Sequence, residues 1–224
     1  MKNQPAGQTV IFGVSDTAEL AHYYLCRDTK TSVAAFTVDR KYLQNDTFCG
    51  LPVVPFEDLI EIRPPAEYQL FAPMTATRMN QDRERVFNTG KDMGYSFFSY
   101  VSPRATVYDN EIGENCFILE DNTIQPFTKI GNNVVLWSGN HIGHHGHIGD
   151  HVFFTSQVVM SGHCQIGSNC FVGVNASIRD YSILGKGTLL GMGACFTGKE
   201  TEDWSVYVGN PAVRRKGLVS HKIM

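Results

Sequence analysis

From Ile112 to Phe196 a bulky apolar residue falls on every sixth position without a slip: Ile112, Ile118, Ile124, Ile130, Leu136, Ile142, Ile148, Phe154, Met160, Ile166, Val172, Ile178, Leu184, Leu190 and Phe196. Six is a multiple of a strand's two-residue side-chain period but not of the helical period of about 3.6. A strand therefore keeps every anchor on one side, and a helix scatters them. Segments this short cannot bury their own apolar side, so they must wrap round an axis and stack. Three sides make one triangular coil, which sets residues eighteen apart directly above one another at about 4.8 Å. Position two before the anchor is usually small or Asn. Cys116, Thr128, Gly146, Cys164, Cys170, Ala176, Ser182 and Ala194 suit crowded inward corners. Asn110, Asn122 and Asn140 are expected to take the unusual corner dihedrals.

Ahead of the repeats the pattern changes. Val10, Ile11 and Phe12 read as a strand meeting Gly13, followed by a helix over 17–25. A second strand spans 32–38 and ends at Asp39, residues 50–54 read as a loop, and 55–59 start a helix. A strand over 68–72 and a helix over 80–93 complete a small parallel α/β unit. Such units bind ligands beyond the carboxyl ends of their strands, where helix N-termini face anions. The loop Gly13-Val14-Ser15-Asp16-Thr17 has a single glycine and departs from the dinucleotide fingerprint. Its N–H groups and the Ser15 and Thr17 hydroxyls suit a pyrophosphate, with Asp39 accepting from base or ribose. The alternative is that Ser15 or Asp16 only caps the helix, and the two roles can coexist.

A formal charge of −3 and a pI near 6.2 leave no overall footprint for nucleic acid, which favours small-molecule work. No stretch of eighteen apolar residues exists and residues 1–8 are polar, so neither membrane insertion nor export is indicated and a cytoplasmic protein is expected. Cys116, Cys164 and Cys170 occupy inward positions of the repeat, so free core thiols are expected.

Six histidines crowd into residues 140–163: His141, His144, His145, His147, His151 and His163. Imidazole suits proton transfer near neutral pH and also binds zinc. Only His145 and His163 stand eighteen apart, and two ligands do not make a site, so no metal is expected. His141, His147 and His151 read as surface or capping residues.

The repeat resembles the left-handed parallel β-helix of the hexapeptide-repeat acyltransferases over residues from about 100 to 213. With an α/β unit in front, the chain is similar to acetyl-CoA-dependent N-acetyltransferases of nucleotide-linked amino sugars in bacterial glycoprotein and lipopolysaccharide O-antigen synthesis. Those acting on UDP-4-amino sugars and on GDP-perosamine are the nearest in layout, and sialic-acid O-acetyltransferases share it. The resemblance implies a Rossmann-like nucleotide-sugar-binding domain over 1–99, a β-helix acyltransferase domain over 100–213 and a tail over 214–224. It assigns the nucleotide sugar to Ser15, Asp16, Thr17, Asp39 and Arg40, with Asp16 standing where the family has its second glycine.

The family segment Ile-x-His-x-x-x-Ile-Gly corresponds to residues 142–149 and makes His144 the general base, with His145 in place of the family's Glu. The family histidine that touches the acetyl donor falls on Phe153, leaving His151 or His163 to replace it. Contacts to CoA are implied for Gly162, Val174 and Met192. Gly209-Asn210-Pro211-Ala212 resembles the Gly-x-Pro-Ala close of the last coil, beyond which Arg214, Arg215 and Lys216 suit the CoA phosphates. A homotrimer with CoA between adjacent β-helices is implied, with Trp137 and Phe154 on the covered faces. A sugar O-acetyltransferase is the alternative enzyme, a catalytically idle trimeric scaffold is the alternative class, and a zinc hydrolase trails for want of ligands.

Overall fold

One backbone feature turns extended chain into a coil: every sixth residue from Asn115 to Gly193 has a left-handed φ, between +55° and +80°. Asn, Asp and Gly tolerate that region, but Phe127, His145, His151, Gln157, His163 and Tyr181 also occupy it, at roughly 1 kcal/mol or more each. The computed structural model describes residues 8–224. Residues 1–7, on which the expectation about export partly rests, lie outside the described residues. The corner dihedrals fall at Asp121 and Gly139, one residue before Asn122 and Asn140. The asparagines serve instead through their side chains. Asn122 Nδ2 donates to Leu119 O at 2.8 Å and Trp137 O at 2.9 Å, Asn140 Nδ2 donates to Asn122 Oδ1 at 2.9 Å, and Asn110 Nδ2 donates to Gln125 O and Thr128 O.

The coils stack as three parallel sheets. On the first side Ile118, Leu136, Phe154, Val172 and Leu190 pair in register. On the second, Ile124, Ile142, Met160, Ile178 and Phe196 do so, and on the third, Ile130, Ile148, Ile166 and Leu184. The eighteen-residue stacking holds for every anchor from Ile112 to Phe196, and shortens to seventeen where the end strands join, as for Val101 on Ile118 and Tyr207 on Leu190. Every anchor from Ile118 to Phe196 is buried in one continuous core, with Ile112 packed at its edge. All six cysteines are free. Burial pushes the Cys116 and Cys170 thiols up to about 12, so they act as small apolar fillers rather than nucleophiles.

The front unit runs β1 (Gln8–Phe12), α1 (Asp16–Asp28), β2 (Val33–Val38), β3 (Thr47–Phe48), β4 (Leu51–Pro55), α2 (Leu59–Ile62), β5 (Tyr68–Phe71) and α3 (Gln81–Asp92). Its sheet has the order β3-β4-β2-β1-β5, parallel except for the β3–β4 hairpin. Residues 51–55 are therefore a strand and not a loop. The turn at Cys49-Gly50, both with positive φ, folds the hairpin back so that Val53 can pair with Phe36. Among the described residues no helix is long and apolar enough to cross a membrane.

The two units share a core. Phe117, Val135 and Phe153, on the outer surface of the first β-helix side, pack with Ile11, Leu25, Phe36 and Phe71 of the front unit, and Trp137 packs against the same cluster. Phe154 points inward and is fully buried. The expectation that Trp137 and Phe154 cover a face between subunits is thus corrected: the first side's apolar exterior is already covered by its own front unit.

Arg83 on α3 is the polar bolt of this joint. It is fully buried, donates to the carbonyl oxygens of Asn133, His151 (3.2 Å) and Val152 (3.4 Å) and to Asn80 Oδ1 (2.9 Å), and lies over the Phe153 ring. Beneath it a side-chain ladder links Asn115 to Asn133 at 2.7 Å and Asn133 to His151 Nδ1 at 2.8 Å. His151 is consequently a buried structural residue rather than a surface one. Desolvation there holds its imidazole below the usual range, despite the opposing charge of Glu84.

Candidate active site

His144 and His145 sit at the corner joining the second and third sides, between the strands His141–Ile142 and His147–Ile148. The positive φ of His145, +55°, swings its ring back against its neighbour, and the two Nδ1 atoms are 3.0 Å apart. A separation that short needs one proton between two nitrogens, so one imidazole donates and the other accepts. The His144 backbone N–H donates to Gln125 Oε1 at 3.1 Å, from one rung below.

Gly162 lies beside His144. A Cβ at 162 would stand 2.9 Å from His144 Cε1 and 3.0 Å from Nε2, so only glycine lets the ring rest over this backbone. The Gly162 N–H has no backbone acceptor among the described residues, which leaves a donor beside the imidazole.

Period eighteen also builds an aromatic column at this corner, exposed except at the half-buried His163. Phe127, His145, His163 and Tyr181 follow one another with ring centroids 4.6, 5.1 and 4.5 Å apart. His144 meets both His145 and His163 edge-on, at 89° and 5.1 Å. The spacing 127-145-163-181 was available in the sequence, and what hid the column was that side-chain direction depends on the left-handed φ at each of its members.

Other expected contacts are distributed differently. Val174 and Met192 are exposed on the corner joining the first and second sides, one side away from His144. Arg214 pairs with Glu202 in a strand antiparallel to the last coil, and Arg215 is exposed beside it. Phe153 does not join a donor site. It is 6% exposed, stacks on Phe171 at 5.8 Å and faces the front unit, on the side opposite the His144 corner. His151 cannot replace it, being part of the interdomain ladder, whereas His163 stands next to His144.

In the front unit, the loop after β1 and the residue after β2 meet at one sheet edge, where Gly13 N donates to Thr37 O at 2.8 Å. Gly13 has a φ of +113°, a turn open to glycine. Ser15 precedes α1 without a side-chain cap, and Ser15 and Asp16 are exposed while Thr17 is half-buried. Asp39 is engaged by Arg85 of α3, at 2.7 and 3.4 Å, and Arg40 is drawn to Asp58 and Glu57. Sequence reasoning missed Arg85. It lines a groove with Arg78, Gln81, Glu84, Lys186 and Trp204, between α3 and the β-helix, that no local motif announces.

The bacterial transferase hexapeptide family, in six repeats, matches residues 111–144. No curated protein sequence matches the chain. Among solved structures, perosamine N-acetyltransferase from Caulobacter crescentus, as a His-to-Asn variant in complex with CoA and GDP-perosamine, is 22% identical over 93% of this chain and 97% of that one, with a TM-score of 0.83. The acetyltransferase domain of PglB from Neisseria gonorrhoeae, in complex with acetyl coenzyme A, is 17% identical over 93% and 98%, with a TM-score of 0.81. WeeI from Acinetobacter baumannii is 23% identical over 93% and 99%, with a TM-score of 0.80. The chain shares with these proteins the whole arrangement of a front α/β unit and a hexapeptide-repeat parallel β-helix.

Proposed function

We propose that this chain is an acetyl-CoA-dependent N-acetyltransferase acting on the amino group of a nucleotide-linked amino sugar, and that it works as a homotrimer with a left-handed β-helix. The observation that carries the reading is the exposed His144 imidazole lying over Gly162, with a hydrogen-bonded partner at 3.0 Å and an unpaired N–H alongside. The complexes of the Caulobacter and Neisseria proteins with CoA, GDP-perosamine or acetyl coenzyme A support the choice of substrates.

In this reading the sugar amine attacks the thioester carbonyl, a C–N bond forms, the C–S bond breaks and CoA leaves as its thiolate. His144 takes the proton from the amine as the bond forms and returns it to the sulfur. Its base function is set by His145, which accepts the His144 Nδ1 proton in place of a carboxylate and so leaves His144 Nε2 free to take the amine proton. The Gly162 N–H faces the developing oxyanion without reorganisation. No enzyme nucleophile is needed once both substrates are held in line, in keeping with the inert core thiols.

CoA would be held by Gly162, Val174, Met192 and the Arg214-Arg215 end. Within one chain Gly162 and the Val174–Met192 pair lie on different corners, at the two ends of the second side, and a neighbouring chain laid against that side would wall a groove between them. This supports the trimer. The α/β unit of residues 1–99 would hold the nucleotide sugar through Ser15, Asp16, Thr17, Asp39 and Arg40. Arg85, which holds Asp39 in line, adds a cation near the phosphates, and Trp204 in the adjoining groove offers an aromatic surface.

Assaying CoA release from acetyl-CoA across UDP-, dTDP- and GDP-linked amino sugars, with sialic acid alongside, is expected to show turnover with one nucleotide class. Turnover on sialic acid alone would favour O-acetylation instead, and none on any acceptor would favour a scaffold. Gly162→Ala is expected to cut kcat roughly 10–100-fold, because the added methyl displaces the His144 ring and small misplacements of a catalytic group are costly. Circular dichroism should show an unchanged fold, since Gly162 does not have a positive φ. An undiminished kcat would separate the ring's position from turnover.

A further inference from the structure

We propose that His144, His145 and His163 form a binding site for a divalent transition ion, zinc being the ion of reference, and that its occupation switches the transferase off. The inhibitory part rests on the reading of His144 as base. Each of the three side chains offers a ring nitrogen, and these nitrogens all lie within 4.8 Å of one another. Stacking arithmetic finds only His145 and His163. The third ligand comes from the residue adjacent to one of them, because the left-handed φ at His145 folds its ring back beside His144.

The geometry resembles a site awaiting an ion more than a chance crowd of exposed side chains. His145 and His163 are sandwiched between Phe127 and Tyr181, so their rings are confined before any ligand arrives. His144 stands at 89° to both, over a backbone position that only glycine leaves open. Bonds of about 2.0–2.1 Å to a tetrahedral ion require ligand nitrogens about 3.4 Å apart. The His144–His145 pair, at 3.0 Å, comes within a few tenths of an ångström of that separation, and an ion there replaces the proton the two nitrogens share. His163, whose ring is nearly parallel to that of His145, must turn out of its stack to bring its nitrogen onto the same ion.

The donor set selects the ion. Three imidazoles without a carboxylate or thiol in the group suit zinc, copper or nickel and disfavour magnesium or calcium. Three protein ligands leave a fourth position for water, as in open zinc sites. An ion held at His144 Nδ1 leaves the ring's proton on Nε2, so no free lone pair remains for the amine proton, and it places a positive charge where a base is needed. The ion is thus an inhibitor of the transfer and not its cofactor.

The test uses full-length protein without a histidine tag, stripped with chelator and titrated calorimetrically with zinc chloride alone. Wild type is expected to bind one zinc per chain. His163→Asn and His145→Asn are each expected to weaken binding at least about tenfold, and Asn is chosen because it tolerates the left-handed φ of these corners. His147→Asn, at an exposed position outside the group, is the control and should bind as wild type. Cobalt(II) in place of zinc should give the visible absorption of a tetrahedral ion. Chromatographic measurement of acetylated product should show zinc inhibiting wild type, reversibly with chelator.

Absence of stoichiometric binding, or full-strength binding by His163→Asn, overturns the site. Stoichiometric zinc that leaves product formation unchanged overturns the inhibitory role. Neither result touches the base assignment, which the alanine variant of His144 tests separately.

Discussion

Turnover of the His144→Ala variant is expected to fall at least about 10²-fold below wild type, with little change in KM for the nucleotide sugar. A positioned general base is worth roughly 10²–10⁴-fold, and His144 is the imidazole that is both exposed and seated over Gly162. The lower bound is chosen because His145 Nδ1 lies only 3.0 Å from the deleted ring's nitrogen and can serve as a poorly placed substitute. Truncation leaves an open space beside Gly162. Added imidazole should therefore restore part of the lost rate, which a purely structural role of His144 would not allow. Steady-state kinetics with and without imidazole measure both effects. Wild-type kcat in the variant would move the base elsewhere, and a loss of CoA binding without rescue would make His144 a positioning residue.

The second large effect is on stability. Arg83→Ala is expected to cost about 3–5 kcal/mol, since several buried carbonyls lose their donor at about 1–3 kcal/mol each. In a chain of this length that lowers the thermal midpoint by roughly 10 °C. The guanidinium serves three main-chain carbonyls and the Asn133 side-chain oxygen of the β-helix, and the side-chain oxygen of Asn80 just ahead of its own helix. Burial pulls its pKa down to about 9, so it remains charged at neutral pH. Without it those oxygens stay buried and lose their donors, and Phe153 loses the cation over its ring. Arg83→Lys should recover only part of the loss, since a single ammonium cannot reach carbonyls spread across two rungs. Denaturant unfolding read by the front-unit and β-helix signals separately should show the joint giving way first in the alanine variant. A single unshifted transition would mean that the apolar cluster alone holds the units together.

Much of the β-helix was legible before any coordinates, because its rule is local and repeated. Each anchor from Ile118 to Phe196 is buried as the period requires, and each small inward residue from Cys116 to Ala194 sits where crowding was expected. The corner dihedrals were displaced by one residue, since asparagine can take a left-handed φ or bridge carbonyls with its amide, and composition alone does not choose. In the front unit most strands and helices lay where the apolar pattern put them, but residues 51–55 read as a loop. Pro52 and Pro55 obscure that strand, and it is recruited by pairing with β2 rather than by its own propensity. Of the histidine corner, His144, His145 and Gly162 were reached through the family resemblance, whereas Phe153 was misdirected because register does not say which exterior side will be covered.

Taken alone, the order of amino acids determined the coil, its eighteen-residue stacking, its inner core and the corner that carries His144. Those depend on side-chain alternation within a few residues, restated at every rung. Only the tertiary structure decided that the front unit covers the first side, that Arg85 holds Asp39, that Arg83 bolts the units together and that a third imidazole closes on the first two. These arise from contacts across long separations, such as the 50 residues from Arg83 to Asn133 and the 89 from Asn80 to Asn169, or from a backbone φ that reverses one side chain. The distant contacts leave no periodic mark, because packing between distant surfaces is chosen by shape and unpaired polar groups that exist only once both partners have folded.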